Sequence, residues 1–150
     1  GRNDITLAKV ARDTEYIYFM VECAEDITPY TDSAWMRLLI DVDGDDGGNW
    51  ETFDYIVNRV SPEGSTALLE RSAGGWIWES VGRVEYCVSG NRLQIKIPKA
   101  FLGISGDSFK INFKWSDNMQ ADGDIMDFYV SGDVAPGGRF KYVYDTTIDE

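Results

Sequence analysis

SGNRLQIKIPKAFLG, residues 89–103, carries the clearest period in the chain. Leu93, Ile95 and Ile97 alternate with Arg92, Gln94 and Lys96, the spacing of a strand with one buried and one wet face. An amphipathic helix would place its apolar residues three and four apart; here they are two apart. The flanks agree with a strand. Ser89-Gly90-Asn91 reads as a hairpin turn leading in, and Pro98-Lys99-Ala100-Phe101-Leu102 before Gly103 reads as one short helical turn, started by proline and stopped by glycine.

Working outward, Ile111, Phe113 and Trp115 alternate in the same way with Lys110, Asn112 and Lys114. Short segments rich in Val, Ile, Tyr, Phe and Trp recur near 5–12, 15–23, 35–42, 53–60, 66–71, 75–79, 81–89, 92–98, 109–116, 126–131 and 139–144, separated by Gly, Pro, Asp, Asn or Ser. Asp13-Thr14 reads as another hairpin turn. The expected fold is all-β: about ten strands in a two-sheet antiparallel β-sandwich, jelly-roll-like. A chain of 150 residues with no repeat, linker or low-complexity tract is expected to form one domain over 1–150. It opens Gly1-Arg2-Asn3-Asp4, without a leader, which suggests a domain excised from a larger multidomain protein.

Charge narrows the functional classes. Against 26 Asp and Glu stand 14 Lys and Arg, a formal net charge of −12, and such a field repels phosphate backbones, so nucleic acid is not an expected partner. No apolar run reaches the roughly 18 residues of a membrane span, so no membrane insertion is expected. The chain has no histidine, which removes Ser-His-Asp and Cys-His catalysis and imidazole-ligated metals. A carboxylate-based glycoside hydrolase would need two acids roughly 5 to 9.5 Å apart, and no pair stands out, so the chain is not expected to be an enzyme. Cys23 follows the apolar series Ile17, Phe19, Val21, whereas Cys87 is out of phase with Val84, Tyr86 and Val88. One thiol is therefore expected inside and the other outside, with pairing left open.

The most specific local signal is DVDGDDGGNWETFD, residues 41–54. Asp41, Asp43 and Asp45 have the spacing by which a tight loop turns carboxylates toward one centre, and calcium takes roughly six to eight oxygen ligands. A helix-loop-helix calcium site would have glycine where Asp46 stands and glutamate where Thr52 stands, and the flanks read as strands. The expectation is a strand-to-strand structural calcium loop. Asp41, Asp43 and Asp45 would be ligands, Asn49 would assist, and Asp54 would close the shell from the next strand. A solvated acidic hairpin loop is the other reading. SDNMQADGDIMDF, residues 116–128, offers Asp117, Asp122, Asp124 and Asp127 as a looser metal set, or a polar loop whose Asn118 and Gln120 reach a ligand.

Five Trp and eight Tyr suit both a core and a sugar-stacking surface. Trp115 continues a buried series and belongs to the core. Trp35 shares its parity with Arg37 and is expected outside. Trp76 and Trp78 flank Ile77 beside Gly74-Gly75, so they project together, either as a ligand platform or as a cover over one end of the core. Trp50 lies in the acidic loop, as a staple or as a groove rim. Arg92, Lys96, Lys110 and Lys114, with Gln94 and Asn112, would form a cationic outer face if their strands are neighbours, and such donors suit sugar hydroxyls or a carboxylate.

With these residues in view, the chain resembles the β-sandwich domains grouped with carbohydrate-binding module family 9 and the DOMON superfamily. The stretches that carry the resemblance are 8–30, 35–59, 74–103 and 113–144. It implies two antiparallel sheets, an aromatic ligand site with polar partners and often bound calcium, with the acidic loop falling on Asp41, Asp43 and Asp54. It also implies a secreted bacterial setting, extracellular, periplasmic or at the cell surface. Haem-binding relatives use Met and His as axial ligands, and the absence of histidine sets haem aside. The expected function is non-catalytic binding of an oligo- or polysaccharide through Trp35, Trp76, Trp78, Trp50, Asn118 and Gln120. A ligand-free accessory domain packing against neighbouring domains of its parent is the alternative, and it requires these indoles to be buried or to form a dry patch.

Overall fold

The computed structural model describes residues 2–43, 52–124, 126–127, 132–137 and 140–148. Their regular structure is ten antiparallel strands: β1 (Ile5–Arg12), β2 (Tyr16–Cys23), β3 (Arg37–Asp41), β4 (Tyr55–Val57), β5 (Thr66–Ser72), β6 (Trp78–Ser89), β7 (Arg92–Pro98), β8 (Lys110–Asp117), β9 (Asp133–Ala135) and β10 (Tyr142–Asp145). The β7 alternation holds: Leu93, Ile95 and Ile97 are fully buried while Arg92 and Gln94 are exposed. A 3-10 turn, Lys99–Leu102, follows β7 and ends on Gly103 at φ 70°, a left-handed conformation that glycine adopts without penalty. The β1–β2 turn closes where Asp13-Thr14 predicts it, with the Asp13 carboxylate accepting the amides of Glu15 and Tyr16.

The strands lie on one continuous ladder in the order β1-β2-β7-β6-β5-β4-β3-β8-β10, with β9 also paired to β8. The fold is thus all-β and antiparallel as expected, but hydrogen bonding does not divide it into two sheets. The single sheet curls until its ends meet in a nearly closed barrel. Ile5 donates its amide to Asp133 at 2.7 Å and Arg12 donates to the Tyr144 hydroxyl at 2.7 Å, so the seam between β1 and the β9–β10 side is bridged by side chains. Inside, Phe19 of β2 meets Phe113 of β8 edge to face with ring centres 5.3 Å apart. Cys23 is buried and Cys87 exposed, both as free thiols. Burial, with negative charge from Asp117, Asp133 and Asp4, pushes the Cys23 thiol up to about 11.

Two segments differ from the sequence expectation. The runs at 75–79 and 81–89 are not separate strands, because β6 is continuous from Trp78 to Ser89. A register shift against Leu69 and Glu70 pairs Glu70 with Ser80 but Leu69 with Gly82, and a bulge of this kind turns a strand's side chains over. Trp78 therefore faces outward and Val84 inward within one strand, which mimics a break in the pattern. The run at 126–131 lies mostly outside the described residues, and the strand found beyond it is β9.

Candidate functional site

β3 ends at Asp41 and β4 begins just after Asp54, so the chain leaves and re-enters the sheet at one point. Asp54 donates its amide to the Ile40 carbonyl at 2.8 Å, and its carboxylate accepts the amide of Val42 at 2.8 Å. This brings Asp41, Asp43 and Asp54 together, with one carboxylate oxygen of each lying within 4.8 Å of the others. Asp41 and Asp54 are buried, at 2% and 7% exposure, and Asp43 faces solvent. Burial raises the Asp54 carboxyl to about 7, assisted by the negative charges of Asp43 and Asp41 and by a hydrogen bond to Asp41, and opposed by the Val42 amide. Asn112 donates to Asp41 at 3.2 Å and the Lys141 ammonium stands 3.9 Å from it, so part of the charge is balanced locally. The donors are all oxygen, which fits a hard cation such as calcium; three carboxylates are about half the shell it takes. Asp45, Asn49 and Trp50 lie outside the described residues.

The tryptophans separate into two environments. Trp35 is 1% exposed and belongs to the main core, where its indole donates to the Thr28 carbonyl at 2.9 Å. The outward expectation fails because β3 begins only at Arg37 and both Ala34 and Met36 have positive φ, at 52° and 40°. Strand parity cannot be extended back through those two residues. Trp76 and Trp78 do project together, onto a second apolar cluster on the outer side of the sheet formed by Leu39, Phe53, Ile56 and Met119. Both are half-buried, with ring centres 5.4 Å apart and planes at 89°, and Arg37 lies 5.9 Å above Trp76. Asn118 and Gln120 flank Met119 of that cluster; Asn118 is half-buried and Gln120 exposed, and Gln120 donates to the Asn118 side chain at 2.6 Å. Trp76 and Trp78 are therefore brought to one outer face with Met119, Asn118 and Gln120 are only the chain neighbours of that methionine, and Trp35 lies in the main core instead.

The cationic face does not form. β7 and β8 are separated in the sheet by β6, β5, β4 and β3, so Arg92 and Lys96 lie far along the ladder from Lys110 and Lys114. Arg92 pairs with Glu22 at 2.6 Å, and Lys96 with Glu85 at 3.4 Å. Lys114 is buried, donates to the carbonyls of Pro136 and Phe140, and is pushed down to about 8 by burial and by the charge of Lys141. The second acidic set also disperses. Asp117 is taken by Arg2 and the Met36 amide, Asp122 by Arg37, Asp127 by the Gln120 amide and Asp124 by the Met126 amide.

What sequence reasoning missed is that β3 and β4 are covered on both sides. Leu38 and Ile40 face the main core while Leu39 faces the outer cluster, and Ile56 lies outward between Tyr55 and Val57. The unbroken apolar runs Leu38-Leu39-Ile40 and Tyr55-Ile56-Val57 carry that signal, since strands covered on two faces do not alternate. No protein-family model, curated protein or solved structure matches the chain.

Proposed function

We propose that the protein is a non-catalytic carbohydrate-binding domain whose β3–β4 connection is held by a structural calcium ion. The observation that carries this reading is the grouping on one outer face. The half-buried indoles Trp76 and Trp78 pack on one apolar cluster with Met119, whose chain neighbours Asn118 and Gln120 carry amides, and that cluster includes Phe53, the residue before Asp54 of the Asp41–Asp43–Asp54 triad. Aromatic edges and faces beside amide donors suit a sugar ring with its C–H face and hydroxyl rim. The same reading takes the curled sheet as a flattened, jelly-roll-like sandwich, supported by the Phe19–Phe113 contact across its interior. Calcium would draw on the three carboxylates, with carbonyl or water oxygens completing its shell.

Isothermal titration against a glycan panel, with Trp76→Ala and Trp78→Ala beside the wild type, tests the reading. Affinities on the order of 10 µM to 1 mM that are lost in both variants support it. Wild-type protein that binds no oligo- or polysaccharide overturns it. One observation favours an accessory domain that binds no sugar and packs against a neighbour: the Trp76 and Trp78 planes are perpendicular, so they do not make a flat platform. That reading expects an apolar contact patch around exposed Ile77, which is 67% accessible.

A further inference from the structure

After β8 the chain folds back over the outer cluster. Met119 is buried in that cluster, and Gly123, at φ 79°, passes so close to Trp76 that a Cβ there would stand 3.1 Å from the Trp76 Cβ and Cγ atoms. Between these two contacts Asp122 reaches the Arg37 guanidinium, accepting from Nη1 at 2.6 Å and from Nη2 at 3.4 Å. The two partners differ in access. The Arg37 side chain is 4% exposed and that of Asp122 is 50% exposed.

Arg37 is fixed in advance. Nη2 also donates to the Arg59 carbonyl at 3.1 Å, Nη1 lies 3.6 Å from the Met119 sulfur, and the guanidinium carbon stands 5.9 Å from the Trp76 ring centre. Its Nε is buried and has no hydrogen-bond partner among the described residues. A guanidinium held in this way loses little freedom on taking up a carboxylate, and its planar fork matches one. The neighbouring pair supplies the contrast. Arg59 is gripped by Glu70 at 2.9 and 2.7 Å, and the Glu70 side chain is only 4% exposed, so a solute does not reach it. At Asp122 the anion is the solvent-facing member and can return to water at small cost. Arg37 cannot then be left alone, because an uncompensated buried cation is costly, so whatever replaces Asp122 must itself be an anion. The net charge of −12 opposes an anion at long range, but it is screened beyond about 8 Å at physiological ionic strength, whereas the Arg37 contact is direct.

We propose that the Trp76 face takes an acidic sugar, a uronic acid residue whose carboxylate replaces that of Asp122 on Arg37 while its ring packs against Trp76. The assignment rests on the carbohydrate-binding reading and names its substrate class. Asp122 is then an internal competitor, and the segment 118–124 lifts as the ligand enters.

Calorimetry with oligogalacturonates and oligoglucuronates, and with neutral galacto- and gluco-oligosaccharides of the same length, tests this on the wild type, Asp122→Asn and Trp76→Ala. The uronates are expected to bind the wild type about tenfold more tightly than their neutral counterparts. Asp122→Asn keeps an acceptor for Arg37 and removes the competing charge. With the internal pair closed roughly nine-tenths of the time, its removal should tighten uronate binding about tenfold. Trp76→Ala should lose that binding. Wild-type affinities that do not favour the charged sugars, a comparison that needs no variant to fold, overturn the assignment. So does uronate binding that survives Trp76→Ala, or a folded Asp122→Asn that gains no uronate affinity. Neutral-sugar binding that is lost in Trp76→Ala would in each of these cases leave the carbohydrate reading standing. Absence of wild-type binding by every sugar, charged or neutral, overturns both.

Discussion

The carboxylate of Asp54 accepts the backbone amide of Val42 at 2.8 Å, tying the residue before β4 to the residue after β3. That tie places a buried acid beside Asp41 and Asp43, and Asp54 is held near 7 rather than its ordinary 3.8. Between those two pH values the native state binds more protons than the unfolded one, so stability falls as pH rises. In chelator the melting midpoint is therefore expected to rise as pH falls from 8 toward 5. Calcium should remove that trend at neutral pH, adding about 2.7 kcal/mol at one hundred times its Kd. A midpoint at pH 7.5 that is indifferent to calcium would retire the structural-ion proposal, and Asp54→Asn should flatten the pH trend in chelator.

The two environments of tryptophan predict unequal losses. Trp35 is sealed in the core, so Trp35→Ala should lower the free energy of unfolding by about 3–5 kcal/mol. Trp76 is half-buried over the outer cluster, and Trp76→Ala should cost about 1–2 kcal/mol. Urea denaturation of both variants measures the difference. Equal losses would mean that the outer indole serves stability alone.

Asp117 is fully buried and accepts both the Nε and the Nη2 of Arg2 at 3.0 Å, and the amide of Met36 at 3.0 Å. Arg2→Ala leaves that carboxylate without its cation and should destabilise the fold by about 3 kcal/mol, a surface arginine notwithstanding. A change below about 0.5 kcal/mol in chemical denaturation would show that solvent replaces the guanidinium.

Gly132 has φ 70°, and a Cβ there would meet the Asp117 carbonyl oxygen at 2.0 Å. Gly132→Ala adds a backbone collision to left-handed strain and should cost more than about 2 kcal/mol. Gly64, at φ 58° with nothing within 4 Å of a Cβ, supplies the contrast. Gly64→Ala carries the conformational strain alone, about 1 kcal/mol. Comparable losses in the two variants would show that the chain near β9 shifts to make room.

The strands were legible wherever one face is wet, as in Arg92–Pro98, because there the sequence period equals the structural one. The convergence of Asp41, Asp43 and Asp54 was legible too, because a hairpin-like return brings the end of one strand to the start of the next. Legibility failed where the backbone leaves the extended region. Positive φ at Ala34 and Met36 turns Trp35 inward, and the irregularity at Leu69 and Glu70 reverses the parity of β6. It failed again for Lys110 and Lys114, since strand order along the ladder is set by long-range closure, which no local pattern encodes. The burial of Lys114 has the same origin, because the carbonyls that hold it belong to Pro136 and Phe140, more than twenty residues away.

The seam between β1 and the β9–β10 side has its own consequence for how the molecule breathes. Elsewhere each neighbour is joined by a ladder of main-chain bonds, whereas among the described residues β1 meets the β9–β10 side through side-chain contacts such as Asp133 with the Ile5 amide and Arg12 with Tyr144. Opening that line exposes little main chain that was previously paired, so β1 and β10 can swing apart at low free energy while β2, β7 and β3 stay shut. Deuterium should enter the amides of Tyr142–Asp145 first and those of Leu93–Ile97 last, making the cylinder a sheet that unrolls from one edge.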